Sequence, residues 1–366
     1  MKVPFLNLNR LHHEISDELK HSFSDILTKG QFIGGEYLDT FEKSYSAYTG
    51  SDYCVGVGNG LDALVICLKA LDVGPGDEVI VPSNTFIATW LAVTHCGATI
   101  VAVEPDIRTH NIDVSLIEEK ITEKTRVIIP VHLYGQPANL DEVIQLARKY
   151  KLYVIEDAAQ AHGASYKGKR IGSHGDLVAW SHYPGKNLGA LGDAGSITTN
   201  NKELANKVRL IGNYGSNERY IHELPGINSR MDPIHASVLS IKLNYLDIWN
   251  ERRREIAEAY LNELKDLDIT LPFIEKFNLS VWHLFCIRSP QRDKLRKALL
   301  DRGVETLIHY PTPPYAQEAY EYLGWDQKKF PLSSRISNEL VSLPLCPSMS
   351  DDQVEYVIDS VNSFVF

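Results

Sequence analysis

The sequence predicts an α/β fold, with a large unit built on a mostly parallel sheet between helices and a smaller C-terminal α+β unit. Three observations predict it. Short β-branched runs alternate with helical patterns over the first two-thirds of the chain, the grammar of parallel strands joined by helical crossovers. Several of these runs are apolar on both faces, as strands covered by helices on each side must be. Near residue 240 the alternation gives way to a long charged helical stretch followed by a few mixed elements.

Taken in order, strands are expected over 53–57, 78–82, 99–103, 126–132, 152–156, 177–181 and 195–199. Helices are expected between them over 61–71, 85–95, 113–121 and 140–151. The second unit opens with 241–267 as one helix, in which Trp249, Ile256, Tyr260 and Leu264 recur at helical spacing. A strand over 281–289, a helix over 291–302, a strand over 304–310 and a helix over 351–364 complete it. The division falls at 1–240 and 241–366, with no flexible linker between, so tight packing is expected.

At 366 residues the chain has room for two domains. Its 44% hydrophobic and 23% charged residues describe an ordinary globular protein. The net charge of −10 argues against nucleic acid or an anionic membrane as partner. An anionic small substrate would therefore need locally placed cations. Cys54, Cys67, Cys96, Cys286 and Cys346 stand in apolar contexts without a C-x-x-C pair, which predicts buried free thiols and no metal site. The N-terminus has no signal-peptide pattern and no window approaches a membrane span, so the reading is cytoplasmic.

One lysine carries the most chemistry. Lys186 lies in Trp180-Ser181-His182-Tyr183-Pro184-Gly185-Lys186-Asn187-Leu188-Gly189, just past a strand end, and Asp157 closes an earlier strand. Such a pair suits pyridoxal phosphate: the lysine holds the aldehyde as a Schiff base, and the carboxylate pairs with the pyridinium nitrogen and keeps the ring an electron sink. Gly56-Val57-Gly58-Asn59-Gly60-Leu61 follows a strand and opens a helix, where free amides and the helix dipole favour a phosphate. A dinucleotide fingerprint would need glycine where Leu61 stands. Phe86 follows another strand end and offers a flat surface to a cofactor ring, although alone it would read as core. His132 alone reads as a satisfied core histidine. Ser181 has a hydroxyl for a phosphate or for its own turn, and His309-Tyr310-Pro311 presents a polar pair on a stiff loop.

Together these segments resemble the pyridoxal-phosphate-dependent nucleotide-sugar aminotransferases of the DegT family. The resemblance spans nearly the whole chain, from Gly30-Gln31-Phe32-Ile33-Gly34-Gly35 through Glu156-Asp157-Ala158-Ala159-Gln160 to Leu343-Pro344-Leu345-Cys346-Pro347. The stretch from Tyr183 to Asp193 is similar to enzymes that aminate C3 of dTDP-3-keto-6-deoxyhexoses with L-glutamate as donor. The resemblance implies the type I aminotransferase fold and a homodimer with shared sites. Lys186, Asp157 and His309 take the catalytic places; Gly60, Leu61, Phe86, Gln160, Ser181 and Asn228 join Asp157 and Lys186 around the cofactor. Tyr183, Arg219, His309 and Tyr310 are implied to line the sugar and diphosphate, with Asn228 and Arg219 reaching in from the neighbouring subunit. A product of this kind suits lipopolysaccharide or other surface glycans. Two departures stand out: His182 where the family usually has Phe, expected to pack as that ring would, and Glu104 where Asp is usual. Amination at C4, or a non-catalytic cofactor-binding regulator on the same fold, are the alternatives.

Overall fold

The computed structural model describes residues 1–365. The chain begins with α1 (Leu8–Glu14), α2 (Ser16–Lys29) and α3 (Glu36–Thr49), then alternates β1 (Tyr53–Val57), α4 (Gly60–Ala70), β2 (Glu78–Pro82), α5 (Ile87–His95) and β3 (Thr99–Val103). It continues through β4 (Thr125–Ile128), α6 (Leu140–Tyr150), β5 (Tyr153–Asp157), the short β6 (Ser165–Tyr166) and β7 (Lys169–Arg170), β8 (Leu177–Ser181), β9 (Gly195–Thr199) and α7 (Lys202–Gly212). The last third holds α8 (Pro233–Leu243), α9 (Leu246–Glu263), β10 (Asn278–Leu279), β11 (Phe285–Arg288), α10 (Arg292–Asp301), α11 (Pro331–Glu339), β12 (Leu340–Leu343) and α12 (Asp351–Asn362).

Seven strands form one sheet in the order β1-β9-β8-β5-β4-β2-β3. All run parallel except β9, which is antiparallel to both neighbours. Gly195 of β9 pairs with Val57 on one side and Ser181 on the other, so the carboxyl ends of β1 and β8 lie level. Asp157, opposite Ala179 of β8, ends β5 on the same edge. That edge is where ligands bind in open parallel sheets. One face of the sheet is covered by α4, α5 and α7 through a core that includes Leu64, Trp90, Val93 and Val208. The cores with α3, α6 and α8 cover the other. Each fully buried Val or Leu there contributes roughly 1.5–3 kcal/mol. All five cysteines are buried and free, as the sequence predicts. Among the described residues no helix is long and apolar enough to cross a membrane.

The small C-terminal unit pairs β11 with β12 and buries Phe285, Ile287, Leu295 and Val357 against α9. Val3, Leu11, Ile15 and Leu19 join this same core. Val3 bridges Val304 in parallel.

Several expected elements take other forms. The single helix over 241–267 is two, broken at Asn244 and Tyr245: α8 packs on α3, α9 on α12, and one straight rod could not reach both. The helix over 113–121 is a pair of 3-10 turns, Val114–Leu116 and Glu118–Lys120, because the Asp113 carboxylate takes the Ser115 amide and diverts the chain. The strand over 126–132 ends at Ile128; Pro130 has no amide, yet its carbonyl still accepts from Asp157. The first half of 281–289 bonds to Tyr134 and Gly135 of the large unit rather than to β12. Residues 304–310 make only isolated bridges, Val304 to Val3 and Leu307 to Ser342.

Candidate active site

The carboxyl edge of the sheet opens into a cavity of about 900 Å³ closed on its far side by the C-terminal unit. Gly60, Leu61, Phe86, Asp157, Gln160, Ser181, Tyr183, Lys186, His309 and Tyr310 all line it. Residues up to 250 positions apart in the chain therefore meet in one cavity.

Asp157 is 6% exposed. The Thr89 hydroxyl donates to its Oδ2 at 2.9 Å and the Ala159 amide to its Oδ1 at 3.2 Å. Burial pushes this carboxyl above its usual value, while those two donors and the Lys186 charge pull the other way. A cationic ring nitrogen in this cavity would complete the compensation. Lys186 sits on a loop held by reciprocal bonds at its base: the His182 amide donates to Ala194 O and the Ala190 amide to His182 O, each at 2.8 Å. Desolvation lowers the Lys186 ammonium to about 8, against the opposing pull of Asp157. At neutral pH this leaves roughly a tenth of it as free amine, some two hundred times the fraction of an ordinary lysine. That suits a nucleophile toward an aldehyde.

The phosphate end is built by α4. Asn59 caps that helix by accepting the Asp62 amide, which leaves the amides of Gly60 and Leu61 outside the helical ladder. A Cβ on Gly60 would stand 2.5 Å from that of Ser181, so glycine alone lets the helix end approach the β8 hydroxyl. Two free amides, a hydroxyl and a helix N-terminus are an anion cradle. Gln160 is held at both ends: its Oε1 accepts the Tyr134 amide at 2.6 Å and its Nε2 donates to the Tyr310 hydroxyl at 3.0 Å. Phe86 is half exposed, with its ring 5.1 Å from that of Tyr310. His309 bonds through Nδ1 to the Ser342 hydroxyl at 2.8 Å, and desolvation together with Lys186 lowers its imidazole to about 4. It is neutral at physiological pH. The carboxylate, lysine and anion cradle, lining one cavity, fit pyridoxal phosphate in charge and in chemistry.

Two expected residues lie elsewhere. Asn228 is exposed and its backbone bridges Asn213; Arg219 is exposed beside the Tyr220 ring, 4.9 Å from its centroid. Neither lines this chain's own cavity. His132 is the satisfied core histidine of the sequence reading, with Nε2 on Glu156 at 2.9 Å and Nδ1 accepting the Ala138 amide at 3.0 Å. His182 is buried edge-on to Phe41 and Tyr45, as a ring in Phe's place would be. It also donates to Leu188 O at 3.1 Å and bonds the Ser196 hydroxyl at 2.9 Å, a tie across the lysine loop that Phe would lack. Sequence reasoning missed Thr89, Asn187, Arg253 and His283. Thr89 lies on α5 and its hydroxyl also meets that of Thr85, which precedes the helix; nothing in the local pattern marks the pair. Arg253 and His283 had no signal either, being brought to the cavity only by the packing of α9 and the segment before β11.

Residues 13–362 match the model of the DegT/DnrJ/EryC1/StrS aminotransferase family. The chain is 50% identical over 362 residues, 99% of each chain, to dTDP-3-amino-3,6-dideoxy-alpha-D-galactopyranose transaminase of Aneurinibacillus thermoaerophilus. Its backbone is similar to the crystal structure of S. venezuelae DesV in complex with a ketimine intermediate, with a TM-score of 0.97 and 45% identity over 98% of this chain and 97% of that one. It is also similar to NtdA of Bacillus subtilis with its bound cofactor PMP, with a TM-score of 0.92 and 34% identity over 99% and 84%. The chain belongs to the DegT/DnrJ/EryC1/StrS aminotransferase family and is a pyridoxal-phosphate-dependent enzyme.

Proposed function

We propose that this enzyme moves the amino group of L-glutamate to C3 of a dTDP-3-keto-6-deoxyhexose, giving a dTDP-3-amino-3,6-dideoxyhexose and 2-oxoglutarate. The observation that carries the reading is the meeting of Lys186, Asp157 and the Gly60–Leu61–Ser181 cradle in one cavity. The 50% identity to a transaminase of a dTDP-3-amino-3,6-dideoxyhexose supports the choice of sugar and of carbon.

Bound pyridoxal phosphate supplies the electron sink through which an amino group passes from one carbon skeleton to another. Asp157, fixed by Thr89 and Ala159, would hold the positive charge of the ring nitrogen. Gln160, braced by Tyr134 and Tyr310, would stand beside the ring, Phe86 would offer it a flat face, and Gly60, Leu61 and Ser181 would hold the phosphate. The Lys186 amine, largely desolvated, would anchor the cofactor at rest and would then be the base that takes the α-proton of the amino donor and the acid that returns a proton to the sugar carbon. Positioned proton transfer of this sort contributes about 10²–10⁴-fold. Tyr183, neutral His309 and Tyr310 line the sugar-binding end. Asn228 and Arg219 serve the neighbouring subunit, where Arg219 supplies the cation that the diphosphate needs in so acidic a protein.

The test is product analysis. With L-glutamate, dTDP-3-keto and dTDP-4-keto 6-deoxyhexoses are offered in turn, and mass and NMR spectra locate the new amine. Amine at C3 from the 3-keto sugar is expected. Turnover of the 4-keto sugar alone, with amine at C4, sinks the reading.

A further inference from the structure

A buried amide–imidazole chain beside Lys186 has no part in the reaction as described so far. Asn187, the next residue, donates from Nδ2 to Asn250 Oδ1 at 2.8 Å and to the Val281 carbonyl at 2.9 Å. Asn250 in turn donates to the His162 carbonyl at 2.8 Å. Carbonyl oxygens only accept, so both amide orientations are fixed, and Asn187 Oδ1 must be an acceptor. His283 Nδ1 lies 3.0 Å from that oxygen and therefore carries the proton. The neutral ring then has a bare Nε2. Among the described residues Nε2 has no hydrogen-bond partner and is not closed off from the solvent, and His283 lines the cavity with Lys186. Arg253, 4% exposed, braces the backbone here by donating to the carbonyls of Trp282 at 3.2 Å and His283 at 3.4 Å.

We propose that His283 is a positioning residue for Lys186: its bare Nε2 accepts a hydrogen bond from Lys186 Nζ and steadies the ammonium that forms whenever the lysine carries a proton. The arrangement makes the lysine a stronger base at the moment of proton abstraction. Burial first, then the charges of Lys186 and Arg253 and the neighbouring His309 and His162, hold His283 well below its usual value. The ring stays neutral and keeps its lone pair. The inference rests on Lys186 as the proton carrier in the proposed reaction, not on which sugar carbon is aminated.

Two variants separate this role from mere packing. His283→Asn keeps a donor for Asn187 but loses the acceptor toward the cavity, whereas His283→Gln carries an oxygen near the position of Nε2. In cofactor-free protein, the rate at which trinitrobenzenesulfonate modifies Lys186, resolved by peptide mass, gives the titration midpoint of the amine. His283→Asn should lower that midpoint by roughly half a pH unit, the effect of one modest hydrogen bond. It should slow single-turnover conversion by L-glutamate about tenfold and enlarge the isotope effect of α-deuterated glutamate. His283→Gln should fall nearer the wild type on both. An Asn variant with a wild-type midpoint and rate, or a Gln variant no better than Asn, overturns the proposal. So does a ¹⁵N-histidine spectrum of the unmutated protein that puts the His283 proton on Nε2. None of these readouts depends on the sugar, so a failed C3 assignment would leave them intact.

Discussion

At the scale of residues, the site turns on one lysine whose charge is expensive to bury. An ammonium lowered to about 8 is the part of the design most open to measurement. Below that pH Lys186 is mostly protonated and cannot attack the cofactor aldehyde; above it the amine is free. Reconstitution of cofactor-free enzyme should therefore accelerate with rising pH and level off above about 8, followed by the bound-cofactor absorbance band. Lys186→Ala should develop no such band. A rate still climbing at pH 10 would mean an ordinary solvated lysine, and an unchanged band in Lys186→Ala would mean another lysine is the anchor. Asp157 was legible in the sequence because it ends an apolar strand, and Lys186 because it stands in the loop just past another, where the fold class alone puts ligands. Ser181 followed from its place at a strand end, and Gln160 only from the family resemblance. His283 and Asn187 were not, because the bond between them joins residues 96 apart in sequence, and nothing local in either segment marks it.

At the scale of elements, the departure at Glu104 has a physical use. Its carboxylate, at the end of β3, accepts the amides of Leu332 at 2.6 Å and Ser333 at 3.1 Å and the Ser83 hydroxyl at 3.2 Å. Leu332 and Ser333 open α11 just after Pro331, so a sheet residue of the large unit caps a helix of the small one. Helix α11 runs straight into β12, whose Ser342 holds His309. Glu104→Ala should cost about 1–2 kcal/mol, read as a lower urea midpoint at unchanged slope, and should raise KM for the nucleotide sugar more than it lowers kcat. A midpoint matching the parent protein would show that the cap is idle. The sheet strands were legible because burial on both faces writes a continuous apolar run, and β1, β2, β3, β8 and β9 fall where the pattern puts them. The break at Asn244 was not, since both flanks are helical and only their different packing partners require a turn. Short pieces such as Val114–Leu116 are decided by one side-chain bond to the backbone, which periodicity does not record.

At the scale of the whole molecule, the second subunit proposed above would account for the residues that lie away from the cavity. Arg219 and Asn228 are exposed and away from this chain's cavity, and Tyr214, Tyr220, Ile221, Ile234 and Ile248 are large apolar residues left on the surface. Scattered apolar residues are ordinary, but several exposed ones in the same stretch of chain as Arg219 and Asn228 suit an interface. If two chains share their sites, mutations in different parts of one site should complement. Lys186→Ala chains keep Asn228 and Arg219 for their neighbour; chains with Arg219→Ala and Asn228→Ala together keep their own Lys186. Each variant alone should be nearly inactive with the sugar substrate. Unfolded together and refolded, half of the dimers formed at random are hybrids with one intact site, so activity should return to roughly a quarter of the wild type. The hybrid should also hold its cofactor through gel filtration better than the double variant does. Activity no greater than the sum of the two parents, with the proteins shown to have exchanged chains, would mean that each site is complete within one chain and that Arg219 and Asn228 act elsewhere.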